Sequence, residues 1–326
     1  MAFTSPGAPS LKLFTNCQIC LYGELIPQDL YFSPETGLIT PNYYYRADGI
    51  EKIDLQGAIV APGFLDLQTN GLGGVHFTSL GKNAASERDD IERLGRVAGK
   101  QLESGVTGWW ATIPTVDKTR WKQETYPHIA VSVGHSIADY DVGLTALDVG
   151  ATAITHVFNA MQPLHHRDPG LAGLMATGRC FYSVIPDGIH LHPSIVTIAL
   201  RTNPTKCMLV TDSIELAGLP DGLYPGHGQI PQKQRKVGNK VTIEGTDTLV
   251  GSCILVDECV RRTVEMTGCN IAEAVRCVTE NVATMMGETK RGVIEPGRRA
   301  DFAIIDPVTY TVKETWIEGK KVFEKD

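Results

Sequence analysis

The feature that most constrains the fold is a short pattern that occurs four times between residues 129 and 212. In each copy an apolar run ends in a polar side chain: IAVSVGH ends at His135, ATAITH at His156, YSVIPDGIH at His190 and KCMLVTD at Asp212. Such runs are typical of buried parallel strands that deliver a functional side chain from their C-terminal ends. With helix-like segments between the runs, the pattern predicts a (β/α) barrel whose active site lies at that face. Two imidazoles and a carboxylate on one rim indicate a metal-dependent hydrolase.

The composition is typical of a globular protein and excludes two classes of partner. Apolar residues make up 42% of the 326 residues, which allows one large catalytic domain and a small accessory domain. The formal net charge is −7 and no basic stripe occurs, so nucleic acid is not expected as a partner. No apolar run approaches the roughly 20 residues that cross a bilayer, so no membrane partner is expected either.

The eight cysteines predict reduced thiols in a cytoplasmic enzyme. Cys17 and Cys20 have CxxC spacing, but no second CxxC and no matching histidine pair follows them. A zinc knuckle is therefore the less favoured interpretation. The first residues, MAFTSPGAPS, have neither the basic nor the apolar region of a signal peptide.

Short strand-like segments at both ends flank the α/β centre. Turn residues separate apolar stretches over residues 11–62, and the last 28 residues again alternate strands with turn signals. We therefore predict a composite small β domain from residues 1–62 and 299–326, with a metal-dependent (β/α) barrel over 63–298. Residues 84–104 and 254–286 are predicted to be helices, the second with apolar residues at helical spacing, and VTIEGTDTLVG (241–251) is typical of a hairpin.

Eight longer segments occur in an order that is typical of one enzyme family. They are GAIVAPGFLDLQTNG (57–71), VSVGHSIADY, ITHVFNAM, RDPGLAG (167–173), PDGIHLHP (186–193), LVTDSIELAG (209–218), LVGSCI (249–254) and GVIEPGRRADFAIID (292–306). On these segments the chain resembles the N-acetylglucosamine-6-phosphate deacetylases of the amidohydrolase superfamily over most of its length. The resemblance implies a TIM-type (β/α) barrel and removal of acetate from N-acetyl-D-glucosamine 6-phosphate in amino-sugar catabolism. It also implies a homodimer in which one subunit completes the other's phosphate site.

The resemblance assigns the metal ligands and the general base. His135 and His156 would hold one divalent ion, and neutral imidazole suits zinc, although other divalent ions remain open. Asp212 would take a proton from the attacking water and later deliver it to the leaving amine. The alternatives are that these histidines are ordinary residues at strand ends and that Asp212 caps a helix.

The resemblance also assigns the residues that bind the sugar phosphate. Asn159, Ala160 and His190 would line the pocket, unless they only pack or cap strand ends. Arg167 would reach the phosphate bound by the partner subunit, because a guanidinium fork suits a dianion. An exposed arginine is otherwise usually just solvated. The adjacent His165 and His166 are not favoured as metal ligands, because neighbouring side chains rarely point the same way.

Residues 68–70 read Gln-Thr-Asn where many superfamily members carry His-x-His for a second metal. Gln68 and Asn70 therefore favour a site with a single metal ion, and Asp66 in the same strand is interpreted as structural.

The chain departs from the family pattern between residues 108 and 130. Family members carry there a long segment with a Glu ligand and a His that contacts the substrate carbonyl. Roughly 70 residues are missing, about two βα units at ~30–40 residues each. Glu124 and His128 are poor substitutes for the missing groups, because Glu124 has no apolar strand before it. The resemblance thus predicts an incomplete barrel with two of the three protein ligands that catalytic zinc usually has.

Three functions remain to be separated. The first is the deacetylase, whose other site residues are all present. The second is a catalytically impaired isoform or pseudoenzyme that binds the sugar phosphate or pairs with full-length subunits. The third is a cyclic-amide hydrolase, against which the NAM and DGxH segments and the Gln68–Asn70 pair argue. The internal gap itself is interpreted as a splicing or gene-prediction effect in preference to true loss.

Overall fold

The computed structural model describes residues 10–41, 50–80, 87–112, 130–227 and 230–325. They belong to two compact units. Unit one consists of Met1–Leu65, Gln101–Gly108 and Cys269–Asp326, and unit two of Asp66–Lys100 and Trp109–Gly268. Among the described residues, none of the helices has both the length and the apolar character required to cross a membrane.

The elements follow in chain order. The strands are β1 (Lys12–Thr15), β2 (Gln18–Leu21), β3 (Glu24–Pro27), β4 (Leu30–Ser33), β5 (Leu38–Ile39), β6 (Glu51–Asp54), β7 (Ile59–Pro62), β8 (Phe64–Thr69), β9 (Gly71–Leu72), β10 (Val75–His76), β11 (Val106–Ala111), β12 (Ser132–Val133), β13 (Ala153–Ile154), β14 (Phe181–Val184), β15 (Cys207–Leu209), β16 (Gly222–Tyr224), β17 (Gln234–Val237), β18 (Lys240–Ile243), β19 (Phe302–Ile305), β20 (Val312–Ile317) and β21 (Lys320–Glu324). The α-helices are α1 (Glu87–Glu103), α2 (Tyr140–Asp148), α3 (Pro193–Thr202), α4 (Val256–Thr267), α5 (Ile271–Arg276) and α6 (Glu280–Met286), and two 3₁₀ segments lie at Phe77–Ser79 and Leu171–Thr177.

Unit one contains two sheets whose shared core is aromatic. The six-stranded sheet has the order β21-β20-β19-β7-β2-β3, so strands from the two ends of the chain are neighbours in it, and the four-stranded sheet has the order β5-β4-β1-β6. Phe14, Phe32, Phe302 and Trp316 are buried together, and the Phe14 and Phe32 ring centroids are 4.7 Å apart. Tilted and edge-to-face rings of this kind add to the stabilisation that burial provides.

Unit two contains a parallel sheet of order β12-β13-β14-β15. Helix α2, a 3₁₀ segment and helix α3 lie in turn between its consecutive strands, which is the βαβ connection that parallel strands need. A parallel bridge from Thr69 to Ser213 links the end of β8 to the segment after β15. Strand β11 is the sheet neighbour of β8. The carboxyl ends of β12–β15 therefore lie at one edge.

One of the two helix predictions is confirmed, and the structure divides the other predicted helix into three. Helix α1 lies inside the predicted range 84–104, whereas the range 254–286 holds three helices. Helix α4 ends at Gly268, whose φ of 65° is left-handed, as is common one residue past a helix. Helix α5 then begins with a capping box in which Asn270 and Glu273 bond each other's backbone amides. The predicted hairpin at 241–251 begins within β18, and Thr242 and Leu249 form an antiparallel bridge across it. Strand β18 also pairs antiparallel with β17, and β17 with β16.

Candidate metal centre and catalytic site

The four polar residues of the repeated pattern all follow the carboxyl ends of parallel strands. His135 comes two residues after β12, His156 two after β13 and Asp212 three after β15. These three have positive φ angles, 47°, 28° and 46°. Residues other than glycine rarely adopt such angles, and those that do are concentrated at functional sites, where the surrounding fold holds them in place. The backbone thus turns sharply at each point where a functional side chain is presented.

His135 and His156 face each other through the same ring atom. Their Nε2 atoms are 2.9 Å apart, and their ring centroids 4.7 Å. Around a tetrahedral zinc with Zn–N bonds of ~2.0–2.1 Å, two such nitrogens would be about 3.3 Å apart. The pair therefore fits two ligands of one divalent ion. It can also form a single N–H···N hydrogen bond when one ring donates.

The two histidines differ in their environments. His156 is 2% exposed, and its backbone N–H donates to Ser183 Oγ over 2.7 Å. Burial lowers the pKa of His156, while the carboxylate of Asp212 acts in the opposite direction. The neutral ring that results is the form that binds metals. His135 is exposed, and its strand β12 is the edge strand of the described sheet.

The carboxylate of Asp212 is held by two side-chain amides from strand β8 and its end. Gln68 Nε2 donates to Asp212 Oδ1 over 2.8 Å, and Asn70 Nδ2 donates to the same oxygen over 2.9 Å. Residues two apart in a strand point to the same side, which explains why both amides reach one oxygen. Because both bonds fall on Oδ1, they do not compete for Oδ2.

Asp66, in strand β8, is fully buried and lies beside Thr211. Its Oδ2 accepts a hydrogen bond from Thr211 Oγ1 over 2.8 Å, and burial raises the pKa of Asp66 to about 7. It thereby fixes the residue that precedes Asp212.

His190 is oriented by Asp187. The imidazole Nδ1 is 2.7 Å from Asp187 Oδ2, and Asp187 Oδ1 accepts the backbone N–H groups of Ile189 and His190. Burial alone would raise the pKa of Asp187, but the hydrogen bonds from His190 and these amides outweigh it and hold the pKa below its usual range. The carboxylate therefore fixes the ring through Nδ1 and leaves Nε2 as the atom available to a ligand.

The other predicted substrate residues lie after β13. The backbone N–H of Asn159 donates to the carbonyl of His156 over 3.0 Å, so its turn is tied to the predicted metal ligand. Ala160 and Arg167 are exposed. His165 and His166 stack with ring centroids 4.3 Å apart. Glu124 and His128 lie outside the described residues.

A further group of potential metal ligands was not predicted from the sequence. His76, Glu215 and His227 bring one ligand atom each to within 4.8 Å of one another. Burial, with a smaller contribution from His227, lowers the pKa of His76 to about 4. Each residue comes from a separate segment and none belongs to a recognisable motif, so no pattern in the sequence indicates the group. Among the described residues it is the only cluster of three His, Cys, Asp or Glu ligands.

Comparisons with known proteins find relatives over nearly the whole chain. A model described as "Amidohydrolase family" matches residues 191–323. The N-acetylglucosamine-6-phosphate deacetylase of Danio rerio is 30% identical over 401 aligned positions, which cover 96% of each chain. Because 401 exceeds the 326 residues of this chain by 75, at least that many positions of the alignment are gaps here.

Solved structures show the same fold. The N-acetylglucosamine-6-phosphate deacetylase from Pasteurella multocida has a TM-score of 0.82 and 22% identity, and the match covers 97% of this chain and 100% of that one. A mutant of the Mycobacterium smegmatis enzyme, in complex with N-acetyl-D-glucosamine-6-phosphate, has a TM-score of 0.80, 22% identity and the same coverage. From the sequence identity over nearly its whole length, the chain belongs to the N-acetylglucosamine-6-phosphate deacetylase family.

Proposed function

We propose that this chain hydrolyses N-acetyl-D-glucosamine 6-phosphate to acetate and glucosamine 6-phosphate, a step of amino-sugar catabolism. The observation that carries the proposal is the position of Asp212. Its carboxylate is fixed by Gln68 and Asn70 and lies close enough to His156 to oppose the lowering of the histidine's pKa by burial. A general base and a pair of metal ligands at one strand edge are the parts that water-dependent amide hydrolysis requires.

The chain's own residues divide the chemistry among them. A divalent ion, zinc by preference, held by His135 and His156 would polarise the amide carbonyl and lower the pKa of water toward roughly 7. Asp212 accepts the proton of the attacking water and passes it to the leaving amine. His190 presents Nε2 to the substrate, and Asn159 and Ala160 border the sugar. Arg167 binds the phosphate in the neighbouring subunit of a homodimer.

We propose that unit two and the residues next to it in the sequence form an incomplete TIM-type barrel. Six strands follow one another in the order β11-β8-β15-β14-β13-β12, with the parallel Thr69–Ser213 bridge between β8 and the segment after β15. That order is the one expected when the third and fourth strands of eight are absent. We assign the barrel to residues 63–298. The composite β domain of 1–62 and 299–326 is supported by the pairing of β7 with β19.

Two further assignments complete the proposal. All eight cysteines lie among the described residues, are buried and form no disulfide bond, which supports a reducing compartment and a cytoplasmic location. A catalytically impaired isoform or pseudoenzyme is not favoured, because the relatives that match nearly the whole chain are deacetylases.

The test is acetate release by the metal-loaded protein and by two isosteric variants. Asp212→Asn removes the base and is expected to lower kcat about 10²–10⁴-fold, the usual contribution of acid–base catalysis. Asp247→Asn changes an exposed aspartate of the same unit and should retain wild-type activity. Equal activity of the Asp212→Asn variant and the wild type would overturn the role of Asp212.

A further inference from the structure

His76, Glu215 and His227 form a compact group with the donor chemistry of a metal site. His76 is 6% exposed, and the side chains of Glu215 and His227 are partly buried, at 12% and 17% exposure. The two imidazole centroids are 4.4 Å apart, and His227 Nε2 lies 4.0 Å from Glu215 Oε1. Two imidazoles and one carboxylate are a ligand set that zinc uses in proteins.

Backbone hydrogen bonds hold each ligand in place from a different segment. His76 ends β10, which pairs with β9. Glu215 lies in the segment after β15, and its carbonyl accepts the N–H of Gly74 over 2.7 Å. The N–H of His227 donates to the carbonyl of Ile230 over 2.8 Å. Convergence of three separately anchored segments is what a preorganised ligand set requires.

The hydrogen bonds within the group leave one ligand atom of His76 and one of Glu215 available to a metal ion. Thr78 Oγ1 lies 2.7 Å from His76 Nδ1, and the Thr78 backbone N–H points to the same nitrogen over 3.3 Å, so Thr78 fixes the ring. A metal would bind Nε2 in the tautomer in which Nδ1 carries the proton and donates it to Thr78 Oγ1. A polar partner on the second ring nitrogen is the usual support of a metal-bound histidine. Glu215 Oε2 is buried and has no hydrogen-bond partner. An unpaired buried carboxylate oxygen is costly, and a cation would satisfy it.

We propose that His76, Glu215 and His227 bind one divalent transition-metal ion of the zinc class, separate from the ion proposed at His135 and His156. The ligand atoms, now up to 4.8 Å apart, would close to about 3.3 Å around a tetrahedral ion with bonds of ~2.0–2.2 Å. Glu215 is three residues from Asp212, so the ion would brace the loop that carries the general base.

The experiment is a count of bound metal in chelator-stripped protein reloaded with Zn²⁺, with Co²⁺ absorption as a second reading. Two ions per chain are expected in the wild type. His135→Gln together with His156→Gln should retain one ion, and His76→Gln together with His227→Gln should lose that ion. His165→Gln together with His166→Gln is the matched control, an adjacent, stacked pair of exposed histidines, and should keep the wild-type count.

Glu215→Gln keeps the shape of the side chain and covers the case in which the double histidine variant does not fold. It should weaken Zn²⁺ binding at this site at least tenfold. A folded His135→Gln, His156→Gln variant that binds no Zn²⁺ would overturn the inference, and so would an unchanged affinity in Glu215→Gln. The result is independent of the proposed activity, because it is read from metal content and not from acetate release.

Discussion

The two ends of the carboxyl edge of the β12–β15 sheet differ in how firmly their side chains are held: Asp212 follows β15 at one end and His135 follows β12 at the other. On the Asp212 side, the carboxylate receives two amide hydrogen bonds, and fully buried Asp66 supports the preceding residue. On the His135 side, the imidazole is exposed and its strand has no neighbour on its other side among the described residues. His156 belongs to the supported side, since it is buried and its backbone is held by Ser183. Preorganisation in this chain is therefore concentrated on the proposed base and on one of the two proposed metal ligands.

The largest effect is expected from the supported metal ligand. His156→Gln removes the buried imidazole and should abolish metal binding at the pair and reduce acetate release at least 10³-fold. Metal content and kcat/KM are measured on the same sample. His165→Gln, at an exposed histidine, is the control. A His156→Gln variant that retained metal at the pair and activity would show that the ion is held elsewhere.

The next effect concerns the amides that hold Asp212. Gln68→Leu removes one of its two donors, and we expect kcat to fall about tenfold with KM nearly unchanged, because the interaction positions the base and not the substrate. Gln68→Glu should be worse, since it places a second carboxylate against the first. Steady-state kinetics of both variants test this. A change confined to KM would instead make Gln68 a substrate-binding residue.

A matched pair of serines compares the two sides by stability. Ser183 Oγ accepts the buried N–H of His156, whereas Ser132 is an exposed residue on the edge strand. Ser183→Ala should lower the free energy of unfolding by about 1–3 kcal/mol, because a buried donor loses its partner. Ser132→Ala should change it by less than about 0.5 kcal/mol. Urea denaturation measures both, and equal losses would remove the difference between the sides.

A separate effect is a pH dependence of stability that comes from Asp66. Its pKa is raised by burial from 3.8 to about 7, so between these values the folded state binds a proton that the unfolded state has released. Stability should therefore fall as the pH rises from about 4 to 7, with a slope of at most about 1.4 kcal/mol per pH unit. Asp66→Asn should flatten this slope, and Asp247→Asn should not. Unfolding curves at pH 5, 6 and 7 decide the matter.

Much of the fold could be predicted because its signals are local. Four apolar runs that end in polar residues indicated the strands β12–β15, and helical spacing indicated α1. The division of residues 254–286 into three helices was missed, although Gly268 at the end of α4 was a visible signal. Apolar spacing alone does not report a left-handed residue that ends a helix.

The residues proposed for the site come from the sequence, but their contacts could not be predicted from it. The sequence indicated that Gln68 and Asn70 replace metal ligands, yet it gave no sign that both donate to Asp212, more than 140 residues further along the chain. The same applies to His76, Glu215 and His227, which only tertiary structure brings together. Long-range convergence leaves no period or spacing in a single sequence.

The most direct test of the account is a Zn²⁺ titration of stripped protein followed by acetate release from N-acetyl-D-glucosamine 6-phosphate. The wild type and the His135→Gln, His156→Gln variant are compared. We predict that activity appears with Zn²⁺ in the wild type and stays absent in the variant, even where the variant binds an ion. A folded, metal-loaded wild type that releases no acetate would contradict the claim that this strand edge is a working hydrolytic site.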